Sequence, residues 1–112
     1  MTTNRKEIIA SLLDFDSSLE LIRDRLSTLA WDSDLRVQCL PQHIRRLLEK
    51  YLAGARSAEE VEAWANLVEG RDDIDVSQPL REILFELANP AITQKLSPDR
   101  GRSLLNNLDG GA

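Results

Sequence analysis

The acidic residues between Ser57 and Asp75 are the side chains of this sequence whose type and spacing could do chemistry. Seven acids stand in that interval against one base, Arg71. Closely spaced carboxylates can bind a hard cation, act as acid and base in catalysis, or attract a basic partner. The seven acids are Glu59, Glu60, Glu62, Glu69, Asp72, Asp73 and Asp75.

The segment VEGRDDID, residues 68–75, is the part of this interval that is most similar to a metal-binding loop. An EF-hand that begins at Asp73 needs glycine at its sixth position and glutamate at its twelfth. The chain has Gln78 and Leu84 there, and a loop that begins at Asp72 fails in the same way. The EF-hand is therefore excluded. A looser Mg²⁺ or Ca²⁺ site stays open as an alternative, but we predict no metal and no cofactor.

The other reactive side chains are one cysteine and one histidine, Cys39 and His43. A zinc site made of Cys and His normally needs about four such ligands, so it is excluded. The pair could act as nucleophile and base, but no residue pattern supplies an orienting third group or oxyanion donors. We interpret Cys39 as a buried thiol and His43 as a surface residue in the first turn of a helix. We predict that the protein is not an enzyme.

Apolar residues recur at helical spacing along nearly the whole chain, which predicts an all-α fold. Ser57 and Glu60 have the spacing of a capping box at a helix start, and Ser17 and Glu20 repeat it. Gly70 is typical of a helix end. The predicted helices begin near Asn4, Ser17, Pro41, Ser57, Pro79 and Pro98.

The length of 112 residues is typical of one domain, so we predict a single helical domain over residues 1–112. Short connections favour an irregular antiparallel bundle of five to six short helices. Residues 31–40, approximately, alternate apolar and polar side chains, which is compatible with a short strand or an extended crossing. We interpret this segment as an irregular connection, and residues 109–112 as a frayed tail.

Charge is distributed unevenly along the chain. Residues 1–56 carry nine Lys or Arg and eight Asp or Glu, whereas residues 57–112 carry five and eleven. The net charge of −5 favours neither nucleic acid nor an anionic membrane as a partner. The single cysteine and the lack of an apolar run of about 20 residues favour a cytoplasmic protein.

The acids and one amide of the fourth predicted helix share a stripe beside its apolar face, because each residue turns the helix by about 100°. Acids near the start of a helix are favoured by its dipole, but Glu69 and the aspartates that follow stand at the end that favours cations. We predict a partner-binding surface, with a solvated face and a metal or active site as the alternatives. The predicted surface consists of Glu59, Glu62, Asn66, Glu69, Asp72, Asp73 and Asp75.

Two runs of the chain, YLAGARSAEEVEAWANLVEGRDDID and PLREILFELANPAITQKLSP, carry a pattern written YLxGxxSAxExExWA, then EGRDDI, then ELANP. This pattern resembles one in short bacterial proteins of no assigned activity, and the resemblance covers roughly residues 31–98. In helical layout, size and acidity the chain is also similar to immunity proteins of bacterial toxin systems, including the colicin D immunity-like group. The resemblance carries over no specific site residue.

Together these observations predict a non-enzymatic binding protein whose acidic surface holds a basic protein partner. The most concrete version is an immunity-type protein that neutralises a bacterial toxin of the nuclease type, because a nuclease cleft must be basic to bind its substrate. The alternative is a structural or self-associating helical module, such as a homodimer, in which the acids serve solubility.

Overall fold

The structure, a computed structural model, describes residues 5–29, 36–71 and 73–110. No helix within these ranges is long and apolar enough to cross a lipid bilayer. The elements are α1 (Arg5–Asp14), α2 (Leu19–Ser27), β1 (Val37–Cys39), α3 (Pro41–Leu52), α4 (Ala58–Glu69), β2 (Ile74–Val76), α5 (Gln78–Ala88) and α6 (Pro98–Gly110).

The chain is mainly helical, as predicted, but the fold is not strictly all-α. Strand β1 lies in the segment that we interpreted as an irregular connection, and β2 lies in the acidic segment VEGRDDID. The strands pair in parallel, with Val37 opposite Ile74 and Cys39 opposite Val76. The alternation in residues 31–40 was compatible with a short strand, but each strand has only three residues and the two partners are far apart in the sequence. The pairing is therefore a tertiary feature that local patterning did not predict.

Helices α1, α3, α4 and α5 turn their apolar faces towards a common core. Trp64 of α4 is fully buried, and its indole N–H donates to the carbonyl of Leu12 in α1 at 2.6 Å. A buried Trp of this kind adds a large apolar area while its polar group remains satisfied. Helix α6 packs on α3 and contributes Leu104 to the same core.

The starts of the helices show which local signals were correct. At α4, Ser57 Oγ accepts from the N–H of Glu60 at 3.1 Å, and Glu60 Oε1 accepts from the N–H of Ser57 at 2.9 Å, so the predicted capping box is confirmed. At α2 the prediction is wrong by one residue, because Ser18 caps the helix and the Ser17 hydroxyl donates to Asp16 instead. The predicted cap at Asn4 lies outside the described residues.

Basic side chains of α3 and of the α3–α4 turn fix the end of α1. Lys50 donates to the carbonyl of Asp14 at 2.8 Å, and Arg56 donates to that of Phe15 at 2.8 Å. The guanidinium of Arg56 also lies 3.7 Å from the centre of the Phe15 ring. Because the carbonyls at a helix C-terminus favour cations, these two bases serve the fold at this point.

The C-terminal end of the chain also differs from what the sequence predicted. Helix α6 runs to Gly110, so the segment that we predicted as a frayed tail begins within a helix. Residues 111–112 lie outside the described part of the chain. Glycine at position 110 has a low helix propensity, which made the last turn appear less helical from sequence than it is.

Candidate functional site

Asp73 was predicted as part of an accessible acidic surface, but it is 7 % exposed. Its carboxylate accepts two hydrogen bonds from Arg71, at 2.9 and 3.0 Å, and a third from Arg5 of α1. Burial acts to raise the pKa of Asp73, but the hydrogen bonds from Arg71 and Arg5 outweigh it and hold the pKa below its ordinary value. The side chain therefore joins α1 to the segment before β2, and we exclude it from the accessible surface.

Glu69 and Asp75 lie in a small concavity of about 170 Å³ that three arginines also line. Asp75 is exposed and stands 3.9 Å from Arg36. Partial burial raises the pKa of Glu69, while the charge of Arg81 acts in the opposite direction. The acids at this end of α4 are thus mixed with positive charge from three separate segments. Arg71 is the third arginine that lines the concavity.

This arrangement explains why acids stand at the end of α4 where the helix dipole favours cations. The positive charge that the dipole favours there is present, because Arg36, Arg71 and Arg81 surround the same concavity. Asp72, another residue of the predicted surface, lies outside the described residues.

The start of α4 differs from its end. Glu60 is engaged within the chain: the backbone N–H of Ser57 and the side chain of Arg56, at 3.1 Å, hold its pKa below the ordinary value. Glu59 and Glu62 have no cation within 4.0 Å in the described part of the chain. These two carboxylates, one helical turn apart, thus form no ion pair with residues 5–29, 36–71 or 73–110.

Glu59 and Glu62 form a ridge between two concave surfaces. One surface, of about 360 Å³, is also lined by Arg23, Ala63, Asn66 and Leu67. The other, of about 380 Å³, lies towards the end of α5 and has a largely apolar wall of Leu87, Pro90, Ala91 and Leu96. We call Glu59, Glu62 and these two concavities the α4 acidic surface.

Asn66 belongs to the first of these concavities, but its amide group also has a structural role. The side-chain N–H₂ donates to the carbonyl of Glu62 at 3.1 Å and to that of Ala88 at 3.3 Å. The second bond joins α4 to the end of α5. Of the predicted residues, the structure therefore brings Glu59, Glu62 and Asn66 together and separates them from Glu69 and Asp75.

The cysteine and histidine that could form a nucleophile and base do not have the surroundings of such a pair. Cys39 is 3 % exposed, and burial raises the pKa of its thiol to about 12, so the thiol is protonated at neutral pH. His43 Nδ1 accepts from the N–H of Leu40 at 2.8 Å and so caps α3. The pKa of His43 lies below its ordinary value, mainly because of burial. The charge of Asp14 acts to raise this pKa, and the charge of Arg46 acts to lower it.

Metal binding has no support from the arrangement of the described residues. Within residues 5–29, 36–71 and 73–110, no group of three or more His, Cys, Asp or Glu side chains is placed to hold a metal ion. The carboxylates of Asp73 and Asp75, which the sequence brings close together, are held by different arginines.

A groove that the sequence did not predict lies between α5 and the packed pair α3 and α6. It has a volume of about 920 Å³, and its floor contains Leu80, Ile83, Leu104 and Leu108. A salt bridge from Arg100 to Glu86 joins α6 to α5. We call this feature the α5–α6 groove.

Comparison of the chain with protein-family models, with curated proteins and with solved structures gave no match in any of the three. The resemblance to short bacterial proteins and to immunity proteins accordingly stays a prediction from the sequence.

Proposed function

We propose that the protein is a non-enzymatic binding protein that holds a basic protein partner on the α4 acidic surface. Its most concrete form is an immunity-type protein that neutralises a bacterial toxin of the nuclease type. The observation that carries the proposal is the state of Glu59 and Glu62, which lack a cation partner in the described part of the chain, while Asp73 is neutralised internally.

The shape of the α4 acidic surface supports a partner with lysine or arginine side chains. Such side chains place a methylene stem on apolar surface and keep the charged head beside an acceptor. Leu87, Pro90 and Leu96 offer the apolar wall, and Glu59 and Glu62 offer the acceptors at its edge. A lysine or arginine of the partner can bind these carboxylates at the edge without first breaking an ion pair between them and the described residues.

A nuclease-type toxin is the most specific partner that this chemistry supports. A nuclease neutralises the phosphates of its substrate with lysine and arginine, so its cleft presents the charge that the α4 acidic surface complements. Complementary charge also accelerates association, which suits a protein that must capture a toxin before it acts. The sequence resemblance to immunity proteins favours the same interpretation.

The surroundings of the reactive side chains support a binding role over catalysis. A thiol with a pKa of about 12 is a poor nucleophile at neutral pH, and the imidazole that could activate it accepts a backbone hydrogen bond at Nδ1. We therefore propose that Cys39 and His43 have structural roles.

Affinity capture from the native host, with quantitative mass spectrometry, tests the proposal. The baits are the wild type, the double variant Glu59→Lys with Glu62→Lys, and a control with Glu20→Lys and Glu49→Lys. The control changes the net charge equally, at exposed glutamates of α2 and α3. We expect one basic protein to bind the wild type and the control in stoichiometric amount, and to bind the Glu59/Glu62 variant at least about tenfold less.

Two results would contradict the proposal. If the Glu59/Glu62 variant retains the partner as well as the control does, the α4 acidic surface is not the binding site. If the stoichiometric partner is acidic, charge complementarity is not the basis of recognition. Circular dichroism of each bait confirms that a loss of binding is not a loss of fold.

A further inference from the structure

The start of α3 is capped by a histidine instead of by a polar residue at the N-cap position. Leu40 holds the N-cap position, and its apolar side chain makes no hydrogen bond to the first turn. His43 Nδ1 accepts a hydrogen bond from the backbone N–H of Leu40, at 2.8 Å. This bond depends on a free electron pair at Nδ1, so it exists only while that nitrogen carries no proton.

The surroundings of the His43 imidazole oppose a second proton. The side chain is 12 % exposed, so it lies deeper than the surface position that the sequence predicted. The N–H groups at the start of a helix also carry partial positive charge, which disfavours an imidazolium there.

The charged groups that act on the imidazole, among the described residues, come from two helices. Asp14 of α1 lies 3.9 Å from Nε2 and favours the imidazolium. Arg46 of α3 lies 3.4 Å from the same carboxylate and acts against the imidazolium. In β1 the titratable side chain is Cys39, which stays protonated at neutral and acidic pH because burial raises its pKa to about 12.

We propose that His43 is a pH-sensitive cap that releases the start of α3 when the imidazole takes up a second proton. A proton on Nδ1 converts the acceptor into a donor, which then faces the donor N–H of Leu40. The imidazole must turn away, and this N–H loses its partner. Because Leu40 lies directly between β1 and α3, the release loosens the junction between the strand and the helix.

The segment that is released also forms part of the α5–α6 groove. Leu40, Pro41 and Gln42 line this groove, so acid should change its shape at the start of α3. Neither Glu59 nor Glu62 lines it, and the pH-sensitive cap is therefore independent of the proposed function.

The direction of the pH effect follows from the pKa of His43, which burial holds below its ordinary value of 6.5. A released imidazole therefore binds a proton more readily than the capped one. As the pH falls below 6.5, protonation favours the released state over the capped state. The preference grows until the pH reaches the lowered pKa of the capped form, and below that it stays constant.

NMR spectroscopy of the wild type, from neutral pH to about pH 5, tests the cap. The ring nitrogen shifts of His43 should show a neutral imidazole at neutral pH, with its proton on Nε2. The exchange protection of the Leu40 N–H, corrected for the intrinsic effect of pH, should fall several-fold as the ring is protonated. The N–H of Ser57 is the internal control, because the carboxylate of Glu60 accepts from it at 2.9 Å and stays ionised in this range.

His43→Gln is the matched variant. A glutamine at this position of a helix can accept the same hydrogen bond from the N-cap residue, but it does not titrate. The protection of the Leu40 N–H in this variant should therefore be the same at both ends of the pH range. In Asp14→Asn, which keeps His43, the pKa read from the ring shifts should be lower than in the wild type, because the anion that raises it is gone.

Three results would overturn the proposal. The first is a Leu40 N–H that keeps its protection while His43 takes up its second proton, and the second is an imidazole that stays neutral down to about pH 5. The third is an equal loss of protection in the wild type and in His43→Gln. Should the variant not fold, the Ser57 control decides, because equal losses at Leu40 and Ser57 would mean general unfolding in acid.

Discussion

The acids near the start of α4 differ from the two aspartates that follow its C-terminal end. At the C-terminal end, Asp73 is buried between Arg71 and Arg5, and Asp75 stands near Arg36. At the N-terminal end, Glu59 and Glu62 have no cation within 4.0 Å in the described part of the chain. The difference teaches that a run of acids in a sequence is not the same as an acidic surface.

The physical cause of the difference is the helix dipole together with burial. Acids at the start of a helix are stabilised by the free N–H groups there, so Glu59 requires no cation. Acids at the end meet free carbonyls, and a buried carboxylate such as Asp73 is stable only when it is paired and hydrogen-bonded. Within the described residues Glu69 also has no cation within 4.0 Å, but it shares its concavity with Arg36, Arg71 and Arg81. Glu59 and Glu62 lie away from that cluster of arginines.

The largest effect is expected from removing the buried carboxylate of Asp73. Asp73→Asn removes the buried negative charge that accepts hydrogen bonds from both Arg71 and Arg5, and we expect it to lower the free energy of unfolding by about 3 kcal/mol. Glu59→Gln, at the other end of α4, should change it by less than about 0.5 kcal/mol. Urea unfolding of both variants measures the difference, and equal effects would contradict it.

Acid should remove the same interaction without mutation. The pKa of Asp73 is lower in the folded chain than its ordinary value of 3.8, so its contribution to stability is complete above that pH. The contribution is lost as the pH falls through the lowered pKa, because the protonated carboxyl no longer pairs with Arg71 and Arg5. The stability advantage of the wild type over Asp73→Asn should therefore shrink in acid. Thermal unfolding from neutral pH downward measures it, and a constant advantage would argue against the ion pair.

A smaller effect on stability should distinguish Glu60, which takes part in the capping box of α4, from Glu62, which does not. Ser57→Ala removes the acceptor for the N–H of Glu60, and we expect a loss of about 1 kcal/mol in the free energy of unfolding. Glu62→Gln should be close to neutral, since Glu62 takes no part in the cap. A loss from Glu62→Gln as large as that from Ser57→Ala would mean that Glu62 has a structural role as well.

Local features of this fold were predictable from sequence, and distant ones were not. The capping box at Ser57 and Glu60 depends on residues three apart, and it was predicted correctly. The bond from Arg5 to Asp73 joins residues 68 apart, so no pattern in the chain indicated that this acid is internal. The start of α2 is set by the hydroxyl of Ser18, which accepts from the N–H of Leu21. From the sequence, either Ser17 or Ser18 could have been the cap.

The candidate site was predicted in part for the same reason. Helical spacing placed Glu59, Glu62 and Asn66 on one side of α4, because that depends only on the turn per residue. Which acids are neutralised depends on where Arg36 and Arg81 lie in the fold, and the parallel pairing of β1 with β2 sets the place of Arg36. The number of charges could be read from the sequence, but the ion pairs that they form could not.

The most direct test is the association rate constant of the purified basic partner, measured by stopped flow over a range of ionic strength. The wild type should associate fast at low salt, with a steep decrease as salt is added. The variant with Glu59→Gln and Glu62→Gln should associate several-fold more slowly, with a shallower salt dependence, whereas Asp75→Asn should behave as the wild type. Equal rates and equal salt dependence for the wild type and the Glu59/Glu62 variant would contradict the account.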